Sequence, residues 1–262
     1  MDKVDNKQRE LIEKIKEFRL LDDDFMSKVF EDDYECIEFI LHIIMDKTDL
    51  KVKDARTQYS IKNLIGRSVR LDIYAVDAIG KKYNIEVQRA DKGAGAKRAR
   101  YNSSVIDANS LLPGSQFADL PETYVIFITE TDVMGGNKPI YHIDRVVKET
   151  GKYFGDEAHI IYVNGAYRDN TPLGQLMHDF SCKNPSDMYY KILADRTRYF
   201  KEDEKGVEAM CKIVEDLIDS EKKEIALKML RDGKLQKEEI AKYFELTLEQ
   251  VEELANSQTI ES

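Results

Sequence analysis

Asp72, Glu86 and Gln88 are the residues whose types and spacing could do chemistry. The stretch "YNIEVQRAD", residues 83–91, sets Glu86 and Gln88 two apart on one face of a strand, while Tyr83, Ile85 and Val87 line the other. A second segment, "SVRLDIYAV", alternates in the same way. Val69, Leu71, Ile73 and Ala75 fall on one face and Arg70, Asp72 and Tyr74 on the other. Antiparallel pairing with 72 opposite 86 also sets 74 opposite 84 and leaves residues 77–81 as the loop. Asp72, Glu86 and Gln88 then share one side of a hairpin. Two carboxylates facing each other across strands repel, so they need solvent, a proton or a cation between them. A hard divalent cation suits such an oxygen-donor pair. Mg²⁺ takes one or two protein carboxylates and completes its octahedron with water and substrate phosphate, which suits phosphodiester hydrolysis. The basic residues Arg89, Lys92, Lys97, Arg98 and Arg100 follow directly, where they can hold a phosphate backbone. A plainer reading stays open beside this one: a hairpin with a charged outer face, and the solvated face of a helix.

The elements that must position these residues follow from periodicity. Residues 7–18 predict a short charged helix. Asp22 to Asp24 are N-cap candidates for a helix carrying Phe25, Val29 and Phe30. Residues 33–46 place Ile37, Ile40, Leu41 and Ile44 on one helical face. "ARTQYSIKNL" can hold a strand, residues 94–111 predict a helix, and "TYVIFIT", 123–129, predicts a buried strand. "PIYHI" and "HIIYVN" add two strands, and "PLGQLMHDF" a helix. "KEDEKG" has the composition of a linker. Beyond it, an acidic helix over 207–231 leads to two short helices with Ile240, Ala241, Phe244, Leu246 and Val251 as core. These elements predict an α/β fold, a mixed sheet flanked by helices, with an all-α C-terminal tail. The expected domains are residues 1–200 and 201–262.

Composition narrows the classes. Hydrophobic residues make up 42% of the 262, enough for a packed core. Cys36, Cys182 and Cys211 show no CxxC spacing and no evident histidine pattern, so neither zinc nor a disulfide framework is expected, and a reducing cytoplasm fits. The charged N-terminus argues against a signal peptide, and no run of about 18 apolar residues offers a membrane span. "VMGGNKP" lacks the ending of a phosphate loop, and Ser103 and Ser104 lack a nearby base. The net charge of −10 looks wrong for a nucleic-acid binder, but −8 of it lies in residues 202–262, while residues 81–100 carry +5. Local potential governs phosphate attraction. The last short helix presents Glu249, Glu252 and Glu253, which phosphate repels. The tail is therefore read as a packing or homo-oligomerisation module.

With these residues in view, the chain resembles a family. "DDDFMSKVF", then "GRSVRLDIYAVDAIGKKYNIEVQRAD", then "KRARYNSSV" is similar to the Rpn family of recombination-promoting nucleases and transposase-like proteins, within the PD-(D/E)XK nuclease superfamily. The resemblance covers residues 20–200. It implies a restriction-endonuclease-like fold and a Mg²⁺-dependent endonuclease acting on DNA, with Mn²⁺ as a substitute, in recombination or mobile-element biology. It implies Asp72 and Glu86 as metal ligands, with the Val87 carbonyl a third. Gln88 stands where the superfamily usually carries lysine. A glutamine can hydrogen-bond a water or a phosphate but brings no charge. Arg89, Lys97, Arg98, Arg100 and Tyr101 are the expected nucleic-acid contacts, and Asp24 or Glu35 the accessory acid. The alternative is a catalytically weak or inactive DNA-binding or regulatory protein on the same scaffold.

Overall fold

The computed structural model describes residues 3–63, 66–89 and 93–257; Lys92 lies outside them. Two compact units emerge. One runs from Lys16 to Gly206, and the other joins the first helix, up to Ile15, with the chain from Val207 onward.

In the larger unit, α2 (Asp23–Phe30) and α3 (Tyr34–Met45) precede the sheet. The i, i+3, i+4, i+7 stripe of α3 is buried as its spacing predicts, with Ile37, Ile40, Leu41 and Ile44 at most 3% exposed. Asp33 caps this helix by accepting the Cys36 N–H at 3.0 Å, and Asp46 ends it in a left-handed conformation. Six strands follow: β1 (Val52–Ile61), β2 (Val69–Asp77), β3 (Lys82–Gln88), β4 (Thr123–Thr129), β5 (Ile140–Ile143) and β6 (Ala158–Asn164). Their spatial order is β1-β2-β3-β4-β6-β5. The β1–β2, β2–β3 and β5–β6 pairs are antiparallel; β3–β4 and β4–β6 are parallel. This is the expected mixed α/β sheet. The central hairpin pairs Ile73 with Ile85 and Tyr74 with Asn84, the register that the alternation dictates.

The parallel crossover from β3 to β4 passes through α4 (Ala96–Ala108). Its Ala99, Val105 and Ile106 pack with Leu71, Val125, Phe127 and Tyr162 in one buried cluster. All seven residues of β4 are buried, because a central parallel strand is covered on both faces. Beyond the sheet lie α5 (Pro172–Ser181) and α6 (Lys191–Glu202).

The second unit is helical: α1 (Lys3–Glu17) contributes most of its length, followed by α7 (Glu204–Asp232), α8 (Lys237–Phe244) and α9 (Leu248–Ser257). Ala226, Ile240, Ala241 and Val251 form its small core, with Phe244 and Leu246 partly buried against it. "KEDEKG" is not an extended linker. Lys201 and Glu202 end α6 and Glu204 opens α7, so a single residue, Asp203, separates the helices. Among the described residues, no helix is long and apolar enough to cross a membrane.

Gly165 marks the tightest backbone approach in the sheet. Its N–H donates to the Thr129 carbonyl at 2.7 Å, and an added Cβ would collide with that same oxygen. A backbone atom in the middle of a buried sheet cannot step aside. Gly165→Ala is expected to destabilise the larger unit by about 1–3 kcal/mol, read as a lower urea midpoint at unchanged slope.

Candidate active site

The strand period carries Asp72, Asn84 and Glu86 to one side of the β2–β3 hairpin, as the pairing requires. That side is not solvated. Glu86 is 0% exposed, Asn84 0% and Asp72 5%. Each polar group therefore needs partners. Oδ2 of Asp72 accepts the Val87 N–H at 2.9 Å, which fixes it against the neighbouring strand. Oε1 of Glu86 accepts from the Asn84 amide at 2.9 Å, and Asn102 of α4 donates in turn to Asn84 Oδ1 at 3.2 Å. Oε2 of Glu86 accepts from Nη2 of Arg98 at 2.6 Å. Arg98 also bonds the Gly93 carbonyl at 3.1 Å and lies over the Phe127 ring.

Burial first, then the charges of Glu86 and Asp23, push the Asp72 carboxyl up to about 8 against the Val87 hydrogen bond and Arg98. Burial also raises Glu86, opposed by Asn84 and Arg98. Desolvation thus outweighs the favourable contacts at both acids.

Asp72 opens onto a cleft of 1250 Å³. It is lined also by Asp23, by Gln88 and Gly93, and by the basic residues Arg67, Arg70, Lys97, Arg98 and Arg100. Tyr101 lines it as well, with its hydroxyl donating to the Arg67 carbonyl. Gln88 rests directly on Gly93, where any side chain would displace its amide.

Three expected site assignments do not meet at this cleft, and one expected cap does not form. Arg89 is turned away, paired with Asp22 at 2.8 Å and lying 3.7 Å from Glu130. Glu35 is exposed in the first turn of α3 and does not line the cleft. Asp24 is half-buried beside Asp23 and Arg70 and does not line it either. Asp22 precedes α2 but makes no capping bond; its side chain serves Arg19 and Arg89 instead. The acid that lines the cleft beside Asp72 is Asp23. Helical rotation of 100° per residue decides between three adjacent aspartates, and composition alone cannot.

Gln58 is a further residue that periodicity missed. It interrupts β1 between the Thr57–Ile73 and Tyr59–Leu71 pairs, opposite Asp72, with φ at +50°. Its amide donates to Asp23 Oδ1 at 2.9 Å and also to Ser27, while its Oε1 is buried without a hydrogen-bond partner. A kink of this kind in a strand re-aims a side chain. The signal in the sequence was weak: one polar residue within "ARTQYSIKNL", a stretch that can hold a strand.

The candidate donor set is all oxygen: Asp72, which lines the cleft, with buried Glu86 and the Val87 carbonyl behind it. With burial raising both acids, and the Asp23 charge adding to it at each, it fits a hard divalent cation rather than a soft one. Asp23, Asp72 and Glu86 do not draw their oxygens within 4.8 Å of one another as a group of three. Two carboxylates with water suffice for Mg²⁺.

Comparison with known proteins bears on the same region. A model of the PD-(D/E)XK nuclease family transposase matches residues 25–166, which spans β1 to β6 and α4. No curated protein and no solved structure matches the chain.

The raised Asp72 pKa has a consequence for stability. An aspartate titrates near 3.9 in an unfolded chain and near 8 here, so the folded protein binds the extra proton between those values. The stabilisation is fully present below about pH 4 and is lost as pH rises through about 8. Asp72→Asn, neutral at every pH, should raise the thermal midpoint of the metal-free protein at pH 8 by ~3–10 °C, with the gain shrinking toward pH 5. Calorimetry in EDTA across that range checks it.

Proposed function

The chain belongs to the PD-(D/E)XK nuclease family transposases, and from that premise we propose that it is a metal-dependent DNA endonuclease of recombination or mobile-element biology. The observation that carries this reading is the buried Asp72–Glu86 pair, whose Asp72 lines a cleft that also carries five basic residues. Acids that resist charge in the dry interior and cations arrayed above them fit a bound cation below and a phosphate backbone above.

Asp72 and Glu86, with the Val87 carbonyl, would hold Mg²⁺, or Mn²⁺ in its place. Such an ion polarises a phosphoryl oxygen and makes a bound water acidic enough to attack phosphorus. The remaining work falls to the chain. Gln88, propped on Gly93, presents an amide that can orient a water or a phosphate oxygen through hydrogen bonds. Arg67, Arg70, Lys97 and Arg100 supply point charges and forks for the strand. Arg98 acts through Glu86 and is a positioning residue. Asp23, held by Gln58, is the accessory acid.

A second reading rests on two observations. Gln88 brings no positive charge, and Arg98 already neutralises Glu86. Both suit a weak or inactive DNA-binding protein.

Plasmid nicking separates the readings. Purified protein should relax supercoiled DNA with Mg²⁺ or Mn²⁺ but not with EDTA, and Asp72→Ala and Glu86→Ala should fall to background. Wild-type protein that binds DNA without cutting under any of these ions would establish the second reading. Nicking retained by both variants would refute the assignment of the acids. Gly93→Ala, which dislodges a flexible side chain rather than backbone, should slow nicking while leaving the urea midpoint within about 0.5 kcal/mol of wild type. Arg67→Ala and Arg100→Ala should weaken DNA binding and reduce the slope of log K against log salt by about 0.9 for each lost phosphate contact.

A further inference from the structure

The end of α5 carries a second cluster with different chemistry. Its sequence is "HDFSC", residues 178–182. The cysteines show no evident histidine pattern in the sequence, yet His178 and Cys182 stand four apart, and four residues bring side chains onto one helical face. Sγ of Cys182 lies 3.4 Å from Nδ1 of His178, and that nitrogen lies 3.3 Å from Oδ1 of Asp179. One ligand atom from each of the three residues falls within 4.8 Å of the others. No other group of three or more His, Cys, Asp or Glu among the described residues meets that limit.

The cluster is held from outside. Asp179 is 0% exposed, and its two oxygens each accept a backbone N–H at 2.8 Å, from Tyr189 and Tyr190. Each oxygen keeps a further lone pair. The Tyr189 ring meets the His178 imidazole edge-on at 4.7 Å and fixes its plane. His178 and Cys182 are half-buried, so the cluster is reachable from solvent.

The spacings match a tetrahedral ion. Zinc bonds of about 2.3 Å to sulfur and about 2.1 Å to nitrogen and oxygen require an N···S separation of about 3.6 Å and an N···O separation of about 3.4 Å. The observed 3.4 and 3.3 Å lie within a few tenths of these. A thiolate and a carboxylate together cancel the charge of a dication. Sulfur and imidazole select a borderline or soft ion and disfavour Mg²⁺ and Ca²⁺.

We propose that His178, Asp179 and Cys182 form a binding site for a borderline-soft divalent cation of the zinc type, chemically distinct from the oxygen-lined Asp72–Glu86 site. Three protein ligands leave one coordination position for water, the pattern of an open site rather than a closed structural one. Binding exchanges a proton for the metal: the Cys182 S–H bond breaks, the proton goes to solvent, and the sulfur pair goes to the ion. Burial, Asp179 and Asp187 hold the Cys182 thiol up, while Arg168 and Lys201 act the other way and favour the thiolate that binds metal. All three ligands lie within five residues, so the ion closes no long loop and adds little chain-entropy stabilisation. Its effect is local, on the Asp179 carboxylate that holds the Tyr189–Tyr190 backbone.

The test is a Co²⁺ titration of the reduced, full chain without chelator, followed by absorption. Expected are a thiolate-to-metal charge-transfer band and the strong visible bands of tetrahedral Co²⁺, saturating at one equivalent. Zn²⁺ should bleach both, and excess Mg²⁺ neither. Cys182→Ser and His178→Ala should lose the bands, while Asp72→Asn and the Cys36→Ser/Cys211→Ser double variant should keep them. Where Cys182→Ser fails to fold by circular dichroism, that double variant decides, since Cys182 is then the one thiol left. Absence of a thiolate band in wild type, or its loss in the double variant, overturns the proposal.

Discussion

Two carboxylates buried side by side set the terms for the rest of the structure. Neither Asp72 nor Glu86 reaches solvent freely, and burial pushes both toward the protonated form. An apolar pair of the same shape would fold more easily there. The surroundings respond to the charge in layers. Val87 gives Asp72 a backbone N–H, and Asn84, itself braced by Asn102, gives Glu86 an amide. Arg98 reaches in from α4 to give Glu86 a full positive charge. These partners come from β3 and α4, the strand and helix of one crossover, so the site depends on that crossover packing correctly. Buried Ala99, Val105 and Ile106 on the other positions of α4 secure it.

The sheet imposes a second constraint. A central parallel strand is covered on both faces, and β4 has no exposed residue. Its neighbour β3 is nearly as deep, which is why polar side chains there must be satisfied internally rather than by water. Where β1 passes Asp72, the ladder gives way at Gln58, which takes a left-handed conformation to hold Asp23. A non-glycine residue at positive φ costs about 1 kcal/mol or more and persists where the surroundings over-determine it. The strain falls beside the cleft, where an acidic wall is built from a separate helix.

Much of this was legible in the alternation of two strands. The hairpin register follows from which residues are apolar, since a one-residue slip would have turned Ile73 and Ile85 to the other face. The stripe of α3 and the continuous apolar run of β4 were equally plain. What could not be read depended on tertiary direction. Asp23 and Asp24 have the same chemistry and adjacent positions, and only the rotation of α2 against the sheet separates them. Arg89 had the right charge and place in the chain, but Asp22 and Glu130 claim it. Arg67 and Arg70 lay upstream of the basic run and line the cleft from β2 and the residues just before it. His178 and Cys182 were passed over because their spacing becomes meaningful only once residues 172–181 are known to be helical.

The glutamine at position 88 is where geometry and chemistry pull apart. A lysine there would add a charge to a wall that already carries Arg67, Arg70, Lys97, Arg98 and Arg100. Coulomb repulsion among those cations would grow, and the cleft would gain little attraction for phosphate that it lacks. A glutamine avoids that cost and still offers a donor and an acceptor. What it cannot do is stabilise negative charge developing on the attacked phosphate as a fixed cation would. A candidate to supply that charge is Arg98, which lines the same cleft and is bonded to Glu86. A dication at Glu86 would compete with the guanidinium for the same oxygen. An arginine loosened from that bond would stand beside Gln88 in the cleft, carrying the charge that the glutamine lacks.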